Sequence, residues 1–381
     1  MRVLHLLDSL NRGGAEMLCL DVCRNARANG LDLTFAATGG GELEDDFRQS
    51  GARFVRLSRR LPLDLKLVGQ LRELIKEREI EVVHCHQAVE ALHAYMATAR
   101  GGVRVKRVLS FHLCTADAKN RVALKYLAPR MDACVAVSRE LLSCLDREGG
   151  FATAKNFHVI HNGVDAARLD AVAAAATRAT SGGDLRAELK LPDGALLLGM
   201  VGNFYADARK DQLTVCRALP ELFARVPGAH FAFAGGQAEG ASEIYAECVN
   251  FCRERGIADR VHFLGKRADV ACVLGALDLF VFSSRKDSFG IAVVEAMLAG
   301  VPCVVSDIGA LLEVSNGGEY ASVFRTNDAG DLARRLIELA GDGARREQLG
   351  AAARRWAASE FGIDSHIAKL LELYKSLRSV P

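Results

Sequence analysis

The chain has 381 residues, half of them hydrophobic, with 49 Lys and Arg against 47 Asp and Glu and a formal net charge of +2. A single hydrophobic core stops growing near roughly 250–300 residues, so two domains are expected. Balanced charge gives no general field for wrapping nucleic acid, and no DNA- or RNA-binding signature is present, which excludes nucleic acid as a partner.

Eleven cysteines are spread singly, and the nearest pairs, Cys19 with Cys23 and Cys248 with Cys252, have helical rather than CxxC spacing. They read as small, reduced core residues. The apolar run in MRVLHLLDSL is too short for a signal peptide, and no stretch reaches the roughly 20 apolar residues that cross a bilayer. A cytoplasmic protein is expected.

The first strand-like run, RVLHLL, leads into Asp8-Ser9-Leu10-Asn11-Arg12-Gly13-Gly14-Ala15-Glu16, a glycine pair opening a helix. Gly13 and Gly14 would admit a phosphate or sugar close to the backbone, or make a plain tight turn. The pattern is not G-x-G-x-x-G, so a nicotinamide or flavin cofactor loses its main support. LTFAAT and ARFVRL follow, then EVVHCH and RVLSFH, which put His86 and His112 at strand ends. His84-Cys85-His86 alternates along one strand with no carboxylate at ligand spacing. Substrate hydrogen bonding is therefore favoured over a metal, and His112 is the residue assigned to it.

From Arg100 to Arg130 eight basic residues (Arg100, Arg104, Lys106, Arg107, Lys119, Arg121, Lys125 and Arg130) face one acid, Asp117. The stretch reads as a patch for an anionic acceptor or membrane surface, or equally as a solvated face. After ACVAVS and VIHNGVD, residues 166–194 are rich in Ala, Gly and Ser and contain no strand-like run. The domain junction is placed there, giving residues 1–165 and 166–381.

The second series of strand-like runs is LLLGMVG, AHFAFAGG, RVHFLG, LFVFSS and PCVVSD. Strands alternating with helices argue for an α/β fold of two doubly wound parallel sheets. Ligands of such sheets bind beyond the carboxyl ends of the strands, and the expected site is a cleft between the domains. LLLGMVG is followed by Asn203 and then by Arg209-Lys210-Asp211-Gln212 opening a helix. Two adjacent cations would neutralise a diphosphate leaving group, a task that otherwise needs a metal ion, although basic residues at helix starts are common.

LFVFSS reads as a strand, SFGIAVVEAMLA as the helix after it, and Gly300-Val301-Pro302 as its stop. Gly290 would let an anion approach the first-turn N–H groups. Glu295, placed two turns in on the face of Ser288, Ala292 and Ala299, requires a partner, because a lone buried carboxylate costs several kcal/mol. That partner is either a hydroxyl pair such as a ribose diol or a neighbouring Arg or Lys. Asp287, at the tip of the loop, reads as an ordinary N-terminal cap or as an acceptor for sugar hydroxyls. From about Asp328 to Arg378 the apolar spacing is helical.

In this order, the Gly13-Gly14 loop, VVHCH, SFH, ACVAVS, VIHNGVD, VGNF with RKDQ, HFAFAGG, DRVHFLG, LFVFSS and DSFGIAVVEAMLAGVPCVVSD resemble the large retaining glycosyltransferase family four, with its GT-B fold of two Rossmann-like domains. The match covers nearly the whole chain. The resemblance implies transfer of a hexose-type sugar from a nucleoside diphosphate sugar, UDP favoured, to a carbohydrate, lipid-linked or small-molecule hydroxyl. No metal or cofactor, and peripheral membrane contact at most, would be involved.

By resemblance Glu295 would bind the ribose, while Asp287 with Ser288 and the Phe289-Gly290-Ile291 backbone would hold the donor sugar. Arg209 and Lys210 would take the diphosphate, Gly14 would lie near the phosphates, and His112 near the transferred sugar; Arg267 joins the donor set. The last helix would cross back to the first domain. Two positions depart from the family: Asp287 stands where Glu is usual, and Asn203 where Arg is frequent. The alternative is a non-catalytic nucleotide-sugar-binding protein or partner subunit of the same fold.

Overall fold

The computed structural model describes residues 1–99, 105–114, 118–149, 155–170 and 185–379. It divides into two compact units, residues 1–164 with 361–381, and residues 165–360. The first unit carries β1 (Arg2–Leu7), β2 (Asp32–Ala37), β3 (Arg53–Arg56), β4 (Val82–Cys85), β5 (Lys106–Phe111), β6 (Ala133–Ala136) and β7 (Phe157–Val159), in the sheet order β3-β2-β1-β4-β5-β6-β7. The second carries β8 (Leu196–Val201), β9 (Ala229–Ala234), β10 (Val261–Gly265), β11 (Leu279–Phe282), β12 (Cys303–Ser306) and β13 (Ser322–Phe324), in the order β10-β9-β8-β11-β12-β13.

Every neighbouring pair is parallel. Central strands such as β4, β6, β11 and β12 are buried at every position. That is why VVHC, ACVA, LFVF and CVVS are continuous runs with no polar alternation. The sequence passes over β7 and β13 as strands: each has three residues, stands at a sheet edge and is only partly buried, too little for a hydrophobic period to register.

Strand order reverses between β1 and β4 in the first unit and between β8 and β11 in the second. The loops at the carboxyl ends of these pairs are where doubly wound sheets bind ligands.

The chain leaves the first unit after Val164 and rejoins it at Phe361. There Val164 N–H donates to the Phe361 carbonyl at 2.9 Å and Ile363 N–H to the Val164 carbonyl at 3.1 Å. A Cβ on Gly163 would lie 2.6 Å from the His366 Cβ, so the glycine of HNGVD admits the last helix, Ile363–Arg378. That helix buries Ile367, Leu370, Leu373 and Tyr374 in one core with Leu18, Cys19 and Val22. Each such side chain contributes about 1.5–3 kcal/mol.

The reading of all cysteines as reduced is corrected for one pair: Cys114 and Cys144 form a disulfide across 30 residues of sequence, a separation with no motif to announce it. The other nine are free, and all of them except Cys272 are buried. Among the described residues no helix is long and apolar enough to cross a membrane.

Candidate active site

In the second unit the loops after β8 and β11 are bonded to each other. Asp211 N–H donates to the Ser283 carbonyl at 3.0 Å, and the Arg209 carbonyl accepts from Arg285 N–H at 2.9 Å and from Ser284 Oγ at 2.8 Å. Ser284 N–H in turn donates to Ser306 Oγ at the end of β12, at 2.8 Å. Asp211, buried, caps the helix Gln212–Arg225 by accepting from Thr214 N–H at 3.3 Å.

This clasp fixes Lys210. Its ammonium pairs with the Asp287 carboxylate and lies 4.4 Å from the centre of the Phe282 ring, and both charged side chains are only 15% exposed. The other Asp287 oxygen accepts from Ser288 N–H at 2.8 Å and Phe289 N–H at 3.3 Å. Asp287 is therefore not the helix cap: the helix is Ile291–Leu298, and its N-cap residue is Gly290. Phe289 is buried beneath this turn.

Gly290 has φ +94°, and a Cβ there would stand 2.6 Å from Leu311 Cδ2. The left-handed backbone and the Leu311 contact both demand glycine, so the residue is explained without any approaching ligand. Glu295 lies one turn into the helix rather than two, on a partly buried stripe with Ala292 and Ala299, while Val293, Val294, Ala296 and Met297 are buried. Of the two partners expected for it, the cation is present: Arg168 Nη2 is 3.5 Å from Glu295 Oε1, the side chains being 18% and 14% exposed.

Arg209 does not join Lys210. The chain turns at Ala206 and Asp207 and has φ +48° at Ala208, and Arg209 pairs with Asp207 at 2.8 Å and lies 4.8 Å from the Tyr205 ring centre. The Asp207 hydrogen bond holds the Arg209 guanidinium above its ordinary value. Asn203 Oδ1 accepts from Gly236 N–H at 2.9 Å, and its carbonyl accepts from Gln212 Nε2 at 3.1 Å, a role in holding loops together. Arg267 commits its guanidinium to Asp269 at 2.7 Å and Glu188 at 2.8 Å. The structure thus joins Lys210 and Asp287 directly, whereas the Arg209 and Arg267 guanidinia are bound to acids outside that pair.

In the first unit Gly13 is the N-cap residue of the helix Gly14–Asn25 and supplies no side-chain cap. A Cβ on Gly13 would meet Glu16 Oε2 at 2.5 Å, so a carboxylate already faces that turn. Burial, with the nearby Asp8, pushes the Glu16 carboxyl up. His112 follows β5, its Nε2 3.0 Å from His86 Nδ1, and burial lowers its imidazole to about 4.

Two buried groups escaped the sequence reading. His5, inside β1, lies 3.1 Å from His86 Nε2 through its Nδ1; its one signal was a polar residue in an apolar run. Glu90 is fully buried, accepts from Thr38 Oγ1 at 3.1 Å, and burial raises its carboxyl. With Cys19, His5 and His86 bring three ligand-type atoms within 4.8 Å of one another, a set the strand alternation did not reveal. In the basic stretch Arg100, Arg104 and Asp117, with the Lys119 side chain, lie outside the described residues. Lys106 and Arg107 pair with Asp132 at 3.8 and 3.4 Å.

Residues 12–168 match the family model described as Glycosyltransferase Family 4, and residues 195–342 match that of Glycosyl transferases group 1. The chain is 24% identical over 322 residues to the N-acetyl-alpha-D-glucosaminyl L-malate synthase of Bacillus anthracis, covering 82% of this chain and 79% of that one. It is 29% identical to a lipopolysaccharide core biosynthesis mannosyltransferase of Rhizobium leguminosarum, covering 69% of each. In fold it matches the crystal structure of Anabaena HepE in complex with UDP and glucose, with a TM-score of 0.81 at 21% identity over 99% of this chain and 100% of that one.

The two Rossmann-like sheets define a GT-B protein, and the chain belongs to the group 1 glycosyltransferases of family four.

Proposed function

We propose that the protein transfers a hexose-type sugar from a nucleoside diphosphate sugar, UDP favoured, to an acceptor hydroxyl with retention of anomeric configuration, in envelope polysaccharide, lipopolysaccharide or glycoside synthesis. The observation that carries this reading is the Lys210–Asp287 pair held between the two loops of the β8/β11 switch point, with Glu295 on the helix that follows. The Bacillus and Rhizobium relatives, a sugar–malate synthase and a mannosyltransferase, are consistent with it.

On this reading the second unit holds the donor and the first the acceptor. Glu295 exchanges Arg168 for the ribose hydroxyls, and the diphosphate draws the Lys210 ammonium, freeing Asp287 to accept from the sugar hydroxyls. Lys210, with Arg209 when it leaves Asp207, stabilises charge developing on the leaving diphosphate, so no metal or cofactor is invoked. His112 hydrogen-bonds the substrate, and the departing phosphate takes the acceptor proton. Gly14 and Arg267 keep supporting places in the donor set.

Peripheral contact with an anionic surface is supported by exposed Leu113, Val122 and Tyr126 beside Lys125 and Arg130. A second reading, a non-catalytic nucleotide-sugar binder, is favoured by Asp287 and Asn203 standing where the family usually has Glu and Arg. Incubation with a panel of nucleotide sugars separates the two: release of nucleoside diphosphate supports the enzyme, and tight binding without turnover supports the binder.

A further inference from the structure

Five side chains behind His112 are strung on one line. Ser110 Oγ is 2.7 Å from His84 Nε2, and His84 Nδ1 is 2.5 Å from the Tyr374 hydroxyl. That hydroxyl is 3.1 Å from His5 Nε2, His5 Nδ1 is 3.1 Å from His86 Nε2, and His86 Nδ1 is 3.0 Å from His112 Nε2. Ser110, His84, Tyr374, His5 and His86 are all buried. The line joins β5, β4, the last helix and β1, and returns to the end of β5.

We propose that Tyr374 is a positioning residue for His112: through His5 and His86 it fixes which ring nitrogen of His112 carries the proton. A neutral imidazole has one donor and one acceptor nitrogen, and the Tyr374 hydroxyl, whose hydrogen-bond partners among the described residues are these two rings, uses its single proton on one of them and accepts from the other. The chain can therefore run in only two senses. If Ser110 donates to His84 Nε2, each later link is forced, and His84, His5, His86 and His112 all carry the proton on Nδ1. If His112 donates from Nε2, all four carry it on Nε2. Reversal passes one proton along each of the five links, and both ends stay neutral only if His112 Nδ1 releases a proton to solvent while Ser110 Oγ takes one up, so the total is unchanged.

Neutral rings are what burial supports. Desolvation lowers His5 to about 3 and His112 to about 4, and holds His84 and His86 well below their ordinary value. His366 stands outside the line, its Nδ1 2.7 Å from the His161 carbonyl. His112 Nδ1 has no hydrogen-bond partner among the described residues, so the sense of the chain decides whether that nitrogen donates or accepts. Its use on substrate rests on the proposed transferase reading; the shared tautomer does not.

The test is a long-range 1H–15N spectrum of the full-length protein, labelled on histidine, at pH 7, recorded before and after adding chelator. Four neutral rings of one common tautomer are expected at positions 5, 84, 86 and 112. In Tyr374→Phe, which keeps the ring and cuts the line, the His112 signals should shift toward a tautomer mixture; Ser110→Ala, which leaves the last helix untouched, should disturb His84 first. Mixed tautomers in the unaltered protein, or a cationic ring, would overturn the proposal. So would an unchanged His112 in a folded Tyr374→Phe variant. Signals at His5 and His86 that change when chelator is added would overturn it in favour of a metal on His5, Cys19 and His86. Donor turnover is a separate measurement, so a failed transferase reading and a failed chain are told apart.

Discussion

Lys210 and Asp287 form an ion pair across the two loops that follow β8 and β11, and the same loops are stitched by three backbone-directed hydrogen bonds from Asp211, Arg285 and Ser284. On the proposed reading this cation, held at 15% exposure against an aromatic face, is already largely desolvated, and the diphosphate has to draw it from Asp287.

Lys210→Ala should depress turnover by about 100- to 1000-fold, the usual cost of one preorganised charge-stabilising donor. It also leaves the Asp287 carboxylate without its cation, at a cost in stability of about 1–3 kcal/mol. Steady-state kinetics with a chemical-denaturation curve on the same sample separates the two effects. Asp287→Asn should lose turnover by a smaller factor while Lys210 remains.

Glu295→Ala should weaken UDP binding by at least about tenfold, since on the proposed reading its carboxylate accepts two hydrogen bonds from the ribose hydroxyls. Arg168→Ala removes the cation now 3.5 Å from Glu295 and should leave UDP affinity within about threefold. Calorimetric titration of both variants checks this. Equal losses in the two would mean that the Arg168–Glu295 pair, rather than the carboxylate, is what the nucleotide needs.

Gly290→Ala should lower stability by about 1–3 kcal/mol, from left-handed strain and the contact with Leu311. Leu311→Ala, itself destabilising because Leu311 is fully buried, should cost less in the Gly290→Ala background than alone by the steric part, while the strain at φ +94° stays. Thermal melts of the single and double variants decide between a packing glycine and one kept for a ligand.

Stability should fall as pH drops from about 6.5 toward 4. His5, His84, His86, His112 and His366 all have folded values lowered by burial, so below the unfolded value near 6.5 the unfolded chain binds more protons. Each contributes up to about 1.4 kcal/mol per pH unit within that window. Glu16 and Glu90, whose values are raised, oppose the loss with two groups against five. Urea midpoints measured between pH 7.5 and 4 should show the decline, and His366→Gln should make it shallower.

The sheets were legible because buried parallel strands such as LFVF and CVVS announce themselves as unbroken apolar runs. β7 and β13 were not, being three-residue edges. Asp287 and Glu295 stood out as an acid at a loop tip and a carboxylate in an apolar helix, but Arg168 could not be named as the partner of Glu295 across 127 residues of chain. The separation of Arg209, paired with Asp207, from Lys210, bridged to Ser284, is set by a turn and a tertiary pairing that no local pattern signals. Tyr374 looked like one more apolar position in LLELYKSL, because its hydroxyl partners, His5 and His84, are brought to it only by the tertiary fold.

The central claim is most directly tested by locating UDP in crystals of the protein grown with it. The account predicts ribose hydroxyls within hydrogen-bond distance of Glu295 and the diphosphate against Lys210. UDP bound elsewhere, with Glu295 still joined to Arg168 and Lys210 still joined to Asp287, would contradict it.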